Sequence, residues 1–119
     1  MDINKYLISL MGNQIKLIER SKDGYIDAIS YLRQWNDLGI GAKKDMCDYF
    51  KSTQTRKFIE KLMIEYDLYT PKMVYEKSQE TCGDNVGWMH PILFIDFVMW
   101  VDSDIKMAIL KFLQNKIIW

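Results

Sequence analysis

The chain has 119 residues, 49% hydrophobic and 27% charged, with 16 Lys+Arg against 16 Asp+Glu and a formal net charge of zero. This excludes an intrinsically disordered chain, which needs low hydrophobicity and high net charge. One domain over 1–119 is expected, able to bury roughly two thirds of its unfolded surface, and the flat charge argues against an obvious polyanion binder, which usually carries a clear basic excess.

Residues 3–10 and 14–20 are apolar-rich and hinge on Gly12-Asn13, a pair suited to positive φ, so they read as an N-terminal hairpin. Lys22-Asp23-Gly24 is a second tight-turn signal, followed by a short strand at Tyr25-Ile26. Asp27 is a good N-cap for a helix whose apolar face is Ala28, Ile29, Tyr31, Leu32 and Trp35, and Gly39 stops it. After the loop Gly39–Lys44, Asp45 caps a short helix through Phe50. Ser52 or Thr53 then opens a helix over about 54–66, with Phe58, Ile59, Leu62, Met63 and Tyr66 as its inward stripe. Residues 72–77 and 87–89 are strand-like and flank a polar turn, which makes a second hairpin. Pro91 suits the first position of a helix, and Ile92–Trp100 is apolar on nearly all sides, so that helix should be central. Asp102 or Ser103 caps a last helix with Ile105, Ala108, Ile109, Phe112 and Leu113 inward. Few, hairpin-linked strands among several helices make the class α+β.

The chemistry-bearing residues are sparse. One histidine and two distant cysteines cannot build a four-ligand zinc set, so no metal and no cofactor is expected. Cys47 and Cys82 read as free thiols in a reducing compartment. His90, between Met89 and Pro91, reads as a helix-start residue bonding backbone groups. No nucleophile motif accompanies it, so no catalytic residue and no enzyme activity is expected. The apolar run Ile92–Val101 is interrupted by Asp96 and is too short to span a bilayer, and the first residues lack a signal peptide's basic and apolar regions. Neither a membrane nor a small-molecule substrate is indicated.

Gly39-Ile40-Gly41-Ala42-Lys43-Lys44 lacks the phosphate-loop pattern, although its backbone N–H groups and Lys43 and Lys44 can contact a nucleic-acid phosphate. The neutral total conceals a split. Residues 33–61 carry a net +3, and residues 62–100 a net −4. Such asymmetry marks a polyanion-facing side. Thirteen Lys against three Arg leave few side chains that can grip guanine through a bidentate guanidinium.

The run Lys22-Asp23-Gly24-Tyr25-Ile26-Asp27-Ala28, then Gly87-Trp88-Met89-His90-Pro91, then Trp100, Ser103 and Ile109 resembles a KilA-N domain over about 14–117. Asp27 stands for the usual Asn, Gly87 for the usual Thr, and Tyr49 for a Trp often found near the middle. The resemblance implies a winged-helix-like core similar to the fungal APSES domain, of phage, prophage or large DNA virus origin. It also implies DNA binding, double-stranded rather than single-stranded, in a regulatory, antirepressor-like role inside a bacterial or infected host cell. Asp23, Gly24, Tyr25, Trp88, His90, Pro91 and Trp100 are then signature residues that hold the fold. Helix 54–66 and the 72–88 wing would face DNA, through Lys43, Lys44, Gln54, Arg56, Lys57, Lys61, Lys77 and Gln79. A localised footprint of this kind calls for a homodimer partner or a second domain. The competing reading is a protein-interaction module that keeps the fold without DNA binding.

Overall fold

The computed structural model describes Ser9 and residues 14–77 and 86–116. The Gly12-Asn13 turn, the wing tip with Gln79, and Cys82 lie outside the described residues, and of Lys77 only the backbone is described. The chain first turns at Lys22-Asp23-Gly24. Gly24 has φ +78°, a left-handed conformation that favours glycine. Its N–H donates to the Arg20 carbonyl (2.7 Å), and the Arg20 N–H donates to the Tyr25 carbonyl (2.7 Å). The run 14–20 makes one bridge, Glu19 to Ile26, and no longer strand.

Strand β1 (Ile26–Asp27) passes directly into helix α1 (Ala28–Leu38). Asp27 ends the strand and caps the helix, its Oδ1 accepting from the Ser30 N–H at 3.0 Å. Ala28, Tyr31, Leu32 and Trp35 form the buried face. Gly39, at φ +67°, closes the helix with its N–H on the Asn36 carbonyl. Asp45 caps α2 (Met46–Lys51) through the Cys47 N–H (2.9 Å). Ser52 alone separates α2 from α3 (Thr53–Glu65): its N–H donates back to Tyr49 and its carbonyl accepts from Arg56. Thr55, Ile59 and Leu62 are the buried line of α3. Tyr66, expected inward, is exposed, because α3 ends at Glu65 and the chain leaves the core there.

Pro71 opens a 3-10 turn (Pro71–Met73), so the strand expected from residue 72 begins at Tyr75. Strands β2 (Tyr75–Lys77) and β3 (Val86–Met89) complete a three-stranded antiparallel sheet of order β1-β3-β2. Met89 pairs with both Ile26 and Tyr75, and Trp88 with both Asp27 and Glu76, with an irregularity between Glu76 and Lys77. Central β3 then feeds α4 (Pro91–Val101) through His90. Leu93, Phe94, Phe97 and Val98 are fully buried, so α4 is the axis of the core, as its apolar sequence requires. Helix α5 (Ser103–Lys116) packs on it with Ile109 buried, while Leu113, expected inward, is exposed near the helix end.

Two polar groups in this core differ in kind. Asp102, between α4 and α5, accepts through Oδ1 from the Asp104 and Ile105 N–H groups (2.9 and 3.4 Å) and through Oδ2 from the Trp35 indole N–H (3.0 Å). The Tyr31 hydroxyl is buried with no hydrogen-bond partner among the described residues. Cys47, expected as a free thiol, is disulfide-bonded, so the inference of a reducing compartment loses its basis.

Asp102→Asn leaves one oxygen for two sets of donors and turns an amide N–H against one of them. It should destabilise the fold by about 1–3 kcal/mol in urea unfolding. Tyr31→Phe removes a partnerless buried hydroxyl and should leave stability unchanged or raise it by up to about 1 kcal/mol in the same assay.

Candidate nucleic-acid interface

Helix α3 turns its buried line, Thr55, Ile59 and Leu62, to the core and so presents Lys57, Glu60, Lys61 and Ile64 on the opposite face. Arg56 and Gln54 are also exposed, but at 3.6 residues per turn they stand roughly 160° apart, on opposite flanks of that face. Lys57 and Lys61 therefore share one strip, with Gln54 on its flank toward α4 and α5, while Arg56 stands roughly 140° from Lys61 on the other side of Glu60 and Ile64. Ile64, on the same outer face, is 78% exposed, and Tyr69, beyond the helix end, is 82% exposed.

The glycine-rich loop is built for packing. Gly41 lies so close to Trp35 that a Cβ would meet the indole Cη2 at 3.3 Å. The Asn36 amide grips Lys44 at both ends, accepting from its N–H (3.0 Å) and donating to its carbonyl (3.1 Å). The Lys44 ammonium then lies 5.1 Å over the Trp100 ring, a cation–π contact. Lys43 is exposed and Lys44 is half-buried. The glycines thus end α1 and fit the loop to Trp35, and the phosphate-contacting reading rests on the two lysines alone.

The wing is fixed at its base by Arg20, a residue to which its sequence context assigns no role. Arg20 donates through Nε and Nη2 to both Asp23 oxygens (3.1 and 2.7 Å) and through Nη1 and Nη2 to both Glu76 oxygens (3.1 and 2.6 Å). Its guanidinium lies 5.0 Å from the Trp88 ring centroid and 5.4 Å from that of Tyr25. The hydrogen-bonded guanidinium holds the Asp23 and Glu76 carboxyls below their ordinary pKa values. Asp23 also accepts from the Tyr25 N–H (3.0 Å), and the Tyr25 hydroxyl donates to the Met73 carbonyl. Asp23, Gly24, Tyr25 and Trp88 thereby form one clip joining the first turn to β2 and β3. Trp88 and Trp100, read as residues that hold the fold, are half-buried, each under a cation.

His90 occupies the start of α4. Its Nδ1 accepts from the Ile92 N–H (3.1 Å), its backbone N–H donates to Val74 (2.8 Å), and its ring meets those of Tyr25 and Tyr66 at 5.5 and 4.9 Å. Burial lowers its pKa from the ordinary value. Beside the first turn of α3 lies a cleft of about 270 Å³, whose lining includes Tyr49, Gln54, Phe58, Asp96, Trp100 and Lys106. Tyr49 donates its hydroxyl to Asp96 Oδ2 (2.6 Å), and burial followed by that carboxylate raises the phenol pKa. The signal for Asp96 was its isolation in an apolar helix. For Lys106 there was none.

Among the described residues, no group of three or more His, Cys, Asp or Glu could hold a metal ion, and no helix is long and apolar enough to cross a membrane. An exposed helix with a basic strip, preceded by a short helix and followed by an antiparallel hairpin, defines a small α+β domain of the helix-and-wing kind. The chain matches the family model of the KilA-N domain over residues 10–117 and belongs to that family. KilA-N domains are generally DNA-binding domains. No curated protein and no solved structure matches the chain.

Because folding depresses the His90 pKa, the unfolded chain takes up a proton near the ordinary value of about 6.5 while the folded chain does not. Stability should be full above that pH, fall as pH drops through about 6.5, and level off below the folded pKa. His90→Asn keeps a capping acceptor without a titrating group. Urea unfolding from about pH 8 to about pH 5 should show this slope in the wild type and lose it in the variant.

Proposed function

We propose that the chain is a regulatory, antirepressor-like domain of phage, prophage or viral origin that binds double-stranded DNA. The outer face of α3 would enter the major groove, and the β2–β3 hairpin would lie against the backbone. The observation that carries the reading is the three exposed cations Arg56, Lys57 and Lys61 on the outer side of α3, in a chain of the KilA-N family. A helix fits the major groove, and lysines on phosphates set its register. Lys43 and Lys44 on their loop, Gln54 at the start of α3, and Lys77 and Gln79 on the wing are the further proposed contacts. Arg20, fully engaged in the clip, is not one. The whole of 1–119 acts as one domain, with a second copy or a second domain extending the footprint. The DNA target supports a place in the bacterial or infected host cytoplasm. No catalytic step, metal, cofactor or membrane enters this reading.

One observation favours a second reading, a protein-interaction module that keeps the fold. Among the described residues Ile64 and Tyr69 are the most exposed of the large hydrophobics, Tyr66 and Met73 are also exposed, and the Tyr69 N–H reaches Met73 Sδ at 3.3 Å. Aromatic residues of this kind anchor protein interfaces. A protein partner retained after nuclease treatment, together with no DNA binding at low salt, would carry that reading.

Arg56→Ala with Lys57→Ala tests the main one. Both side chains are exposed, so stability should change by no more than about 0.5 kcal/mol per site. Affinity for duplex DNA should fall, and the slope of log K against log salt should flatten by about one for each phosphate that the variant no longer neutralises. Unchanged affinity and slope, measured by fluorescence anisotropy at several salt concentrations, would remove α3 from the interface.

A further inference from the structure

We propose that the cleft between α3, α4 and α5 binds a nucleobase bearing an exocyclic amino group, presented by an unpaired nucleotide of the DNA held on α3. This deepens the DNA-binding reading and rests on it for the source of the base, though not for the pocket itself. The cleft has a volume of about 270 Å³, which suits a single heterocycle better than a drug-sized ligand. Phe58 supplies aromatic surface for a planar ring, Trp100 joins the lining with its own ring already packed against the Lys44 ammonium, Phe97 and Tyr49, and Tyr49 is 1% exposed.

The charged groups narrow the ligand class. Asp96 contributes a carboxylate with one oxygen taken by the Tyr49 hydroxyl, which leaves Oδ1 to accept from a ligand N–H. A free anion would be repelled by Asp96. A free cation would meet Lys106 in the cleft, the Lys44 ammonium over Trp100, and the positive N-terminal end of α3. A neutral ring that offers an amino group to Asp96 and carries its phosphate toward Lys106 meets neither objection. A carboxylate accepts readily from the amino group of cytosine, and a Gln amide matches the adenine edge. Two polar groups of the cleft can adapt to the base. Gln54 offers both donor and acceptor, and the Ser52 hydroxyl, although Ser52 is the N-cap of α3, makes no capping bond. Gln54 also links the cleft to the proposed DNA-facing side, being exposed on the flank of α3 that turns toward α4 and α5.

The base would leave the stack at a bulge, mismatch or strand end, where unstacking costs least. The same ring chemistry is available from a free nucleotide, and the experiment separates the two sources. Fluorescence anisotropy compares one duplex in four forms: fully paired, or with a single bulged adenine, cytosine or thymine. Tryptophan quenching by adenosine monophosphate runs beside it. The wild type should bind the adenine or cytosine bulge about tenfold tighter than the paired duplex, with no gain for thymine, which lacks the amino group. Asp96→Asn keeps an oxygen for the Tyr49 hydroxyl but faces the cleft with a donor, so it should lose the adenine and cytosine preference while binding the paired duplex as before. Saturable quenching by the free nucleotide without any bulge preference would support the pocket and make free nucleotide the source. Equal affinity for all four duplexes with no saturable quenching would overturn the pocket and leave the DNA-binding reading standing. A thymine bulge bound as tightly as the adenine bulge would overturn the role of Asp96 and the proposal with it. Nucleotide binding without any duplex binding would keep the pocket and remove the DNA-binding reading. The wild-type comparisons need no variant, so a misfolded Asp96→Asn would not blunt the test.

Discussion

Asp102 stands where α4 ends, α5 begins and α1 passes by. One carboxylate oxygen receives the first N–H groups of α5, and the other receives the Trp35 indole from α1. A buried carboxylate is tolerated only when hydrogen bonds replace the water it has lost, and here N–H donors from two directions do so. The bonds hold α1 across the α4–α5 corner. Trp35, in turn, receives the Gly39–Lys44 loop through the close approach of Gly41. The position of Lys44 over Trp100 follows from that loop and from the Asn36 grip on its backbone. One hydrogen-bonded corner therefore fixes the core crossing and the basic loop together.

A second constraint acts on the sheet itself. Arg20 joins Asp23 and Glu76, which are 53 residues apart in sequence, and lies against two aromatic rings. An exposed ion pair contributes little alone, but this one is bidentate on both sides and held against Trp88 and Tyr25, which gives it a defined geometry. It orients β2 at the base of the wing and removes one of three arginines from any role in DNA contact. The basic strip of α3 is then Lys57 and Lys61 alone, with Arg56 set apart from it beyond Glu60, so the phosphate-directed charge is local and modest.

The local parts of this fold were legible in the sequence. Asp27, Gly39, Asp45, His90 with Pro91, and Asp102 each act on backbone groups two to four residues away, and the helix boundaries they mark are those observed. The apolar run of α4 announced a central helix for the same reason. Parts that depend on distant partners were not legible. The Arg20 clip needs three segments to meet, and the cleft needs the first turn of α3 against α4 and α5. Periodicity also extended two stripes too far, to Tyr66 and Leu113, because the pattern of apolar residues continues where the opposing surface stops. Pro71 diverted the start of β2 because its ring fits a 3-10 turn and cannot donate to a ladder. Of the proposed contacts, the exposure of Arg56, Lys57 and Lys61 follows from the stripe of α3, whereas the engagement of Lys44 with Trp100 could not be read from spacing.

The zero net charge acquires a physical meaning once these parts are placed. Acidic groups balance the basic ones by number but occupy different work. Asp27, Asp45 and Asp102 cap helices, and Asp23 and Glu76 hold Arg20, so many carboxylates are already directed at N–H groups of the fold. Lys57 and Lys61 on α3, and Lys43 on its loop, have no such structural duty among the described residues and face solvent. A protein of this kind can be neutral overall and still present a cationic strip, because the charges that cancel in the sum are separated in space. Its field would fall off within about a Debye length, roughly 8 Å at physiological salt, so only a polyanion docked directly on α3 would feel the strip more than the neutral whole.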